Sequence, residues 1–330
     1  MPPHLLLQMT VLTVTPNTAL DRTLRVARLL PNRTLRATPA TLSPTGKGID
    51  VSLVLAEIGV PSVTMGFVAG DTGRQLEAAL RAKGIDSALT RVAGETRINT
   101  VVIGEQDGSH TTITAESLIV HEAHVTALME SFTQRIQQAK CVALGGSIPA
   151  GVDPSLYAQL VAIARQHRVP TIIDATGEAM TLALAAQPDW IKPNREELEA
   201  FAGCKVHTLH NAWHAAQSLR ARHGVNVLAS LGADGLLVVM GDGTLYAPAL
   251  QVPVVNPAGA GDALVAGLAA SIARGDSIEA GICMGVAAAA STLMRPGTAE
   301  CDRADIERLL PAVQVMPFQE PRRSIINLDS

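Results

Sequence analysis

Two hydrophobic rhythms take turns along most of this chain. Short apolar runs rich in Val, Ile and Leu, at 9–15, 62–68, 141–144, 171–173, 190–191, 225–229 and 252–255, predict buried strands. Between many of them, apolar residues recur every three or four positions and predict helices over 47–59, 72–83, 154–167, 195–202 and 207–223. In the first of these, Val51, Val54, Leu55 and Ile58 share one side, and Gly59 supplies the stop. Runs at 236–240 and 244–246 read as a hairpin over Gly241-Asp242-Gly243, and three closing helices follow at 262–273, 277–293 and 302–310. Strand and helix in alternation argue for an α/β fold, a doubly wound, mostly parallel sheet flanked by helices.

Two sections break this pattern. Residues 21–27 and 34–41, then 97–104 and 109–115, mix polar and apolar positions in loose alternation, as strands with one wet face do. The second pair is joined through Gln106-Asp107-Gly108, a hairpin signal. Together, about 17–44 and 94–116 read as a small β-sheet lid able to cover a cleft. Residues 317–330 carry charged pairs and no packing face, and read as a tail.

Composition narrows the class. Hydrophobic residues make up 47% of the chain but aromatic ones only 2%, so the core must be built from Ala, Val, Leu and Ile, and a base-stacking surface has no material. The formal charge is −4 with no long basic run, which argues against nucleic acid as a partner. No window approaches the length of a membrane span, and the first residues read as a strand, with no basic residue ahead of them. Cys141, Cys204, Cys283 and Cys301 are far apart and lack metal-site spacing, so free thiols and a cytoplasmic location are expected.

The chemistry concentrates near 254–262. An apolar run ends in Asn256-Pro257, a turn of Ala258-Gly259-Ala260-Gly261 follows, and Asp262 stands at the first turn of an apolar helix. Glycines let successive N–H groups converge, and the helix start adds unpaired donors and the positive end of its dipole. The turn suits the charge of a phosphoryl group in transit, with Asp262 placed to take a proton from an attacking hydroxyl. The same pattern also describes an ordinary glycine-rich turn with an acid at the helix start. Other strands end in polar groups at the same edge, where α/β sheets bind ligands: Asn17, Gly145-Gly146-Ser147, Asp174-Ala175-Thr176, Lys192-Pro193-Asn194 and Ser230-Leu231-Gly232. A dinucleotide fingerprint is missing after the first strand, and Ser43-Pro44-Thr45-Gly46-Lys47-Gly48 lacks P-loop spacing, which disfavours a nicotinamide enzyme and a P-loop kinase. Gly145 to Pro149 lacks the closing glycine of a nucleophile elbow.

From 11 to 303 the combination resembles the ribokinase-like (PfkB) carbohydrate kinases, in the branch of 1-phosphofructokinase and tagatose-6-phosphate kinase. Six pieces carry the resemblance in order: TPNTALD ending at Asp21, TGKGIDVS from Thr45 to Ser52, TRIN from Thr96 to Asn99, KPNREE from Lys192 to Glu197, SLGADG from Ser230 to Gly235, and NPAGAGD ending at Asp262. It implies one kinase domain over 9–316, with ATP and Mg2+ as cofactors. Asp262 would be the base, and the backbone of Gly259, Ala260 and Gly261 the anion hole. Asp21, Gly46, Lys47, Asp50, Arg97, Asn99 and Ser147 would face the sugar, with Arg97 suited to a phosphate the sugar already carries. Lys192, Asn194, Glu197, Ser230, Gly232, Gly235 and Asn256 would serve the nucleotide, and Glu197 the metal through water.

The chain departs from the family's pattern at Thr45, where a glycine is usual, at Asp50, where Asn is usual, at Thr18, where this branch has Pro, with Pro16 one residue ahead of Asn17, and more mildly at Pro257. Fructose 1-phosphate phosphorylated to fructose 1,6-bisphosphate is the expected reaction. Tagatose 6-phosphate, fructose 6-phosphate, another sugar, or a non-catalytic sugar or nucleotide sensor remain open. Exposed edges on the lid suggest a homodimer in which two lids pair.

Overall fold

The computed structural model describes residues 10–115 and 118–319. Its frame follows from strands whose successive side chains point to opposite sides. On the strand Thr10–Asn17, Leu12 and Val14 enter one apolar cluster while Val11 enters the other. The strand Ala139–Gly145 divides likewise, Val142 and Leu144 from Cys141 and Ala143. Each layer is closed by helices. Leu156–Gln166, Gly177–Ala185 and Leu209–His223 cover one face, and Lys47–Glu57, Ala260–Arg274 and Ile278–Leu293 cover the other. Gly267 makes the last two cross closely, since a Cβ there would lie 2.3 Å from the backbone nitrogen of Gly285.

The main sheet has ten strands. Seven run parallel, in the order Asn226–Ser230, Trp190–Ile191, Thr171–Asp174, Ala139–Gly145, Thr10–Asn17, Ser62–Val68 and Asp86–Arg91. Leu236–Val239, Thr244–Ala247 and Met316–Pro317 add antiparallel strands beyond Asn226–Ser230. The chain winds outward in both directions from Thr10–Asn17. The crevice between that strand and Ala139–Gly145 is therefore the topological switch point, where ligands of open α/β sheets bind. Asn17 spans it, donating from Nδ2 to Ser147 Oγ at 3.1 Å.

A small separate sheet has the order Thr41–Thr45, Ala19–Val26, Arg97–Gly104, His110–Ile113. Ala19–Val26 continues directly from the central strand, with Thr18 between them anchored by its hydroxyl to the Phe67 carbonyl at 2.6 Å. No helix among the described residues is long and apolar enough to cross a membrane.

Several expected elements differ. The strand expected at 34–41 lies instead at Thr41–Thr45, because Pro39 removes a ladder donor and the pairing register sets Thr45 against Ala19. Residues 252–255 form no strand. Pro253 interrupts the ladder, and the amides of Val255 and Asn256 bond the Leu293 carbonyl at a helix end. Helices Glu122–Arg135 and Gly177–Ala185 and the strand Asp86–Arg91 had no clear periodic signal. The expected tail opens with Pro317, which together with Met316 pairs with Thr244–Ala247, while 320–330 lie outside the described residues, as does Met9 of the first strand.

Candidate active site

Gly259 caps the helix Ala260–Arg274 in a left-handed conformation, φ 88°. A Cβ there would sit 2.4 Å from the nitrogen of Ala299, so the turn needs glycine for conformation and for room. Asn256 is fully buried beneath it, donating to the Pro296 carbonyl at 2.9 Å and accepting from the Ala258 amide at 3.0 Å. Asn256 thus braces the turn from below, where a nucleotide contact had been expected. The first-turn amides have no acceptor in the helix itself, the ordinary condition of a helix start. Ala260 N–H has a long bond, 3.5 Å, to the Pro257 carbonyl.

Asp262 is 6% exposed, and its Oδ1 has no hydrogen-bond partner among the described residues. Burial, reinforced by Asp174, lifts its pKa to about 6 against the opposing pull of Lys47 and Lys192. A carboxyl so placed is mostly ionised at neutral pH, yet basic enough to take a proton.

The two lysines are held by one acid. Asp174, at the end of its strand, accepts from Lys47 Nζ and from Lys192 Nζ through Oδ2, each at 3.0 Å. Lys192 is 3% exposed and lies against the turn at 259–261. A Cβ on Gly261 would meet its Nζ at 3.3 Å. Gly145 makes equivalent room for the Lys47 stem, with 2.7 Å from a would-be Cβ to Lys47 Cβ. Burial opposes the charge on Lys47, but Asp174, Asp262 and Glu197 outweigh it and raise its pKa. Burial likewise opposes the Asp174 carboxylate, and Lys192 and Lys47 overcome that and lower it. Asp174 was visible in the sequence only as one of several polar strand endings. Its service to both lysines needed the fold.

The small sheet contributes Asp21, 5% exposed, whose Oδ1 accepts from Asn99 Nδ2 at 2.8 Å and whose Oδ2 accepts from Thr298 Oγ at 2.5 Å. Thr298 had no signal in the sequence, since it lies beyond every recognisable piece. Gly46, φ 127°, caps the helix Lys47–Glu57 and presses on Thr15, which accepts the Ile49 amide at 2.9 Å. On that helix Asp50 is buried and accepts from Thr45 Oγ at 3.2 Å. Arg97 donates to the Asn17 carbonyl at 3.2 Å, and Ser147 is exposed beyond it.

On the other side, Asn194 and Glu197 form a reciprocal cap on the helix Arg195–Ala202, with Oδ1 accepting the Glu197 amide at 2.9 Å and Oε2 accepting the Asn194 amide at 2.8 Å. Asn194 also bridges Ser230. The turn after Ser230 closes from the Leu231 amide to the Gly235 carbonyl at 2.8 Å, through Gly232 at φ 63°. Gly235 permits a close approach, 2.2 Å from a would-be Cβ to the Ala247 carbonyl oxygen. Among the described residues no three acids, His or Cys cluster as a ready metal site. Glu197 keeps Oε1 outside its cap. One carboxylate oxygen suits Mg2+, which retains water and takes other ligands from phosphates.

Over residues 11–305 the chain matches the pfkB family of carbohydrate kinases. It is 30% identical to the 1-phosphofructokinase of Bacillus subtilis over 92% of this chain and 99% of that protein. It is 36% identical to that of Haloferax volcanii over 90% and 95%. Among solved structures it is similar to phosphofructokinase-2 from Escherichia coli in complex with substrates and products, at 26% identity and a TM-score of 0.86 over 92% and 98% of the two chains. A ribokinase from Arabidopsis thaliana, 21% identical with a TM-score of 0.76 over 92% and 99%, shares the fold. The chain belongs to the pfkB family of carbohydrate kinases, in its 1-phosphofructokinase branch, and is a sugar-phosphate kinase.

Proposed function

We propose that the protein transfers the terminal phosphoryl of ATP to a hydroxyl of a phosphorylated ketohexose, with fructose 1-phosphate the substrate and fructose 1,6-bisphosphate the product. The observation that carries this is Asp262, buried beside two lysines at a helix start, with an unpartnered oxygen and a pKa of about 6. Relatives named 1-phosphofructokinase over nearly their whole length support the sugar.

In this mechanism Asp262 accepts the proton of the attacking hydroxyl as the bond to phosphorus forms. Such transfers are loose, so alignment and charge stabilisation matter more than base strength. The amides of Gly259, Ala260 and Gly261 face the transferring group, and Lys192, over Gly261, and Lys47 offset its charge. Asp21 and Asn99, with Gly46, Asp50 and Ser147 around them, hold sugar hydroxyls, and Arg97 the phosphate already present. Asn194, Ser230, Gly232 and Gly235 flank the nucleotide. Glu197 would hold Mg2+ through water, which would neutralise the nucleotide phosphates. The small sheet acts as a lid that excludes water. Its exposed Leu42 and Ile113, 50% and 62% accessible, support a homodimer formed lid to lid.

A coupled assay with ATP, Mg2+ and a panel of fructose 1-phosphate, fructose 6-phosphate, tagatose 6-phosphate and free hexoses tests the substrate. An unphosphorylated sugar turning over best rejects the assignment. A second reading, fructose 6-phosphate, is favoured by the likeness to phosphofructokinase-2 in complex with that sugar.

A further inference from the structure

We propose that Asp50, hydrogen-bonded to Thr45, works as an uncharged donor to a sugar hydroxyl and so helps set specificity. The inference rests on the sugar-phosphate kinase assignment and concerns two of the positions at which the chain departs from the family's pattern. Those departures are bonded to each other. Thr45 Oγ donates to Asp50 Oδ2 at 3.2 Å.

That bond leaves Oδ1 alone. Among the described residues it is buried without a hydrogen-bond partner, and so are Asp262 Oδ1 and Asn99 Oδ1. These oxygens come from a helix start, a second helix start and a strand of the small sheet, and all three residues were assigned to the reacting or sugar-binding region on other grounds. Buried polar atoms left unpaired are costly, and a ligand rich in hydroxyls would satisfy them.

The charge around Asp50 decides which form it takes. The helix Ala260–Arg274 brings Asp262 toward it, and the strand Ala19–Val26 brings Asp21. Strands Thr10–Asn17, Thr41–Thr45 and Ser62–Val68, which pack on its helix, carry no titratable side chain. Ala139–Gly145 carries Lys140 and Cys141 at its far end. Lys47, on Asp50's own helix, is committed to Asp174. Burial, then Asp262 and Asp21, hold the Asp50 carboxyl well above the usual range, against Thr45 and the Gly46 amide. A neutral carboxyl has the shape of an Asn amide. One oxygen accepts from Thr45, and Oδ1–H donates where an amide N–H would. A sugar hydroxyl that accepts from Asp50 is free to point its own proton at an acceptor such as Asp262.

Two measurements on wild type, Asp50→Asn and Asp50→Ala test this. The first is KM and kcat for fructose 1-phosphate, and for any panel sugar that turns over, from about pH 6 to about pH 9. Wild-type KM is expected to rise about tenfold per pH unit once Asp50 ionises, while kcat changes little. Asp50→Asn should keep a low, flat KM, and Asp50→Ala a high one throughout. The second is thermal melting against pH. A carboxyl raised in the folded state costs stability as pH climbs above about 4, where the unfolded chain ionises first. Asp50→Asn should therefore match wild type near that pH and melt higher, by about 2 °C or more, near neutrality. A flat wild-type KM with a tenfold loss of affinity in Asp50→Asn, or a wild type that melts higher than Asp50→Asn at neutral pH, overturns the proposal. If fructose 1-phosphate is inert and another sugar turns over, the substrate assignment fails, while both tests of Asp50 still run with that sugar.

Discussion

Thr298 donates its hydroxyl to Asp21 at 2.5 Å, joining a loop near the end of the chain to the strand that opens the small sheet. The next residue, Ala299, packs on Gly259 and donates its amide to the Ala258 carbonyl at 3.2 Å. One short loop therefore braces Asp21 and the Gly259 turn together. Thr298→Val leaves Asp21 with Asn99 alone and should raise sugar KM about 5- to 30-fold, the effect of about 1–2 kcal/mol. Thr298→Ser should restore it. Equal KM values in the Val variant and wild type would dismiss the brace.

Replacing the proposed base keeps the shape and removes the chemistry. Asp262→Asn should lose about 10²- to 10⁴-fold in kcat while sugar binding, read by calorimetry, persists. A sensor protein would show no turnover to lose.

Wild-type kcat/KM should fall with acid. The folded pKa of Asp262 is raised to about 6, so the ionised, proton-accepting form prevails above it and is lost below it. A rate that holds steady through pH 6 would assign the base elsewhere.

Asp174→Asn would strand Lys192, 3% exposed, without its counter-charge. Removing one partner of a buried pair costs about 3–5 kcal/mol, readable in urea titrations at neutral pH. Because the folded pKa of Asp174 is lowered, its contribution is present above the ordinary Asp value and fades as pH falls through the folded one. The deficit of the variant should shrink in acid.

Gly259→Ala would force a side chain into φ 88° and onto the Ala299 backbone, at a cost of about 2–4 kcal/mol and most of the activity. For the lid pairing, Ile113→Lys should turn a dimer into a monomer by light scattering; a wild-type monomer at micromolar concentration rejects the pairing.

Local patterning carried much of the architecture. Ser62–Val68, Arg97–Gly104, Trp190–Ile191 and Arg195–Ala202 lie where the residue pattern puts them, because short apolar or half-polar runs and the KPN start of the helix are local signals. The helix Glu122–Arg135 gave no clear stripe, since only Leu128 and Phe132 are buried among its 14 residues and no motif marks its start. At 252–255 an apolar run misled, because Pro253 and a helix end competed for the chain.

The sequence by itself determined the parallel α/β frame and the glycine turn before Asp262, since strand period, helix period and glycine's freedom are written locally. Only the tertiary structure decided that Asp174 holds Lys47 and Lys192, that Thr298 reaches Asp21, that Asn256 supports the turn from beneath, and that Thr45 and Asp50 belong together as a pair facing two other acids. Those relations depend on desolvation and on charges that meet across long stretches of chain, and neither exists until the layers close.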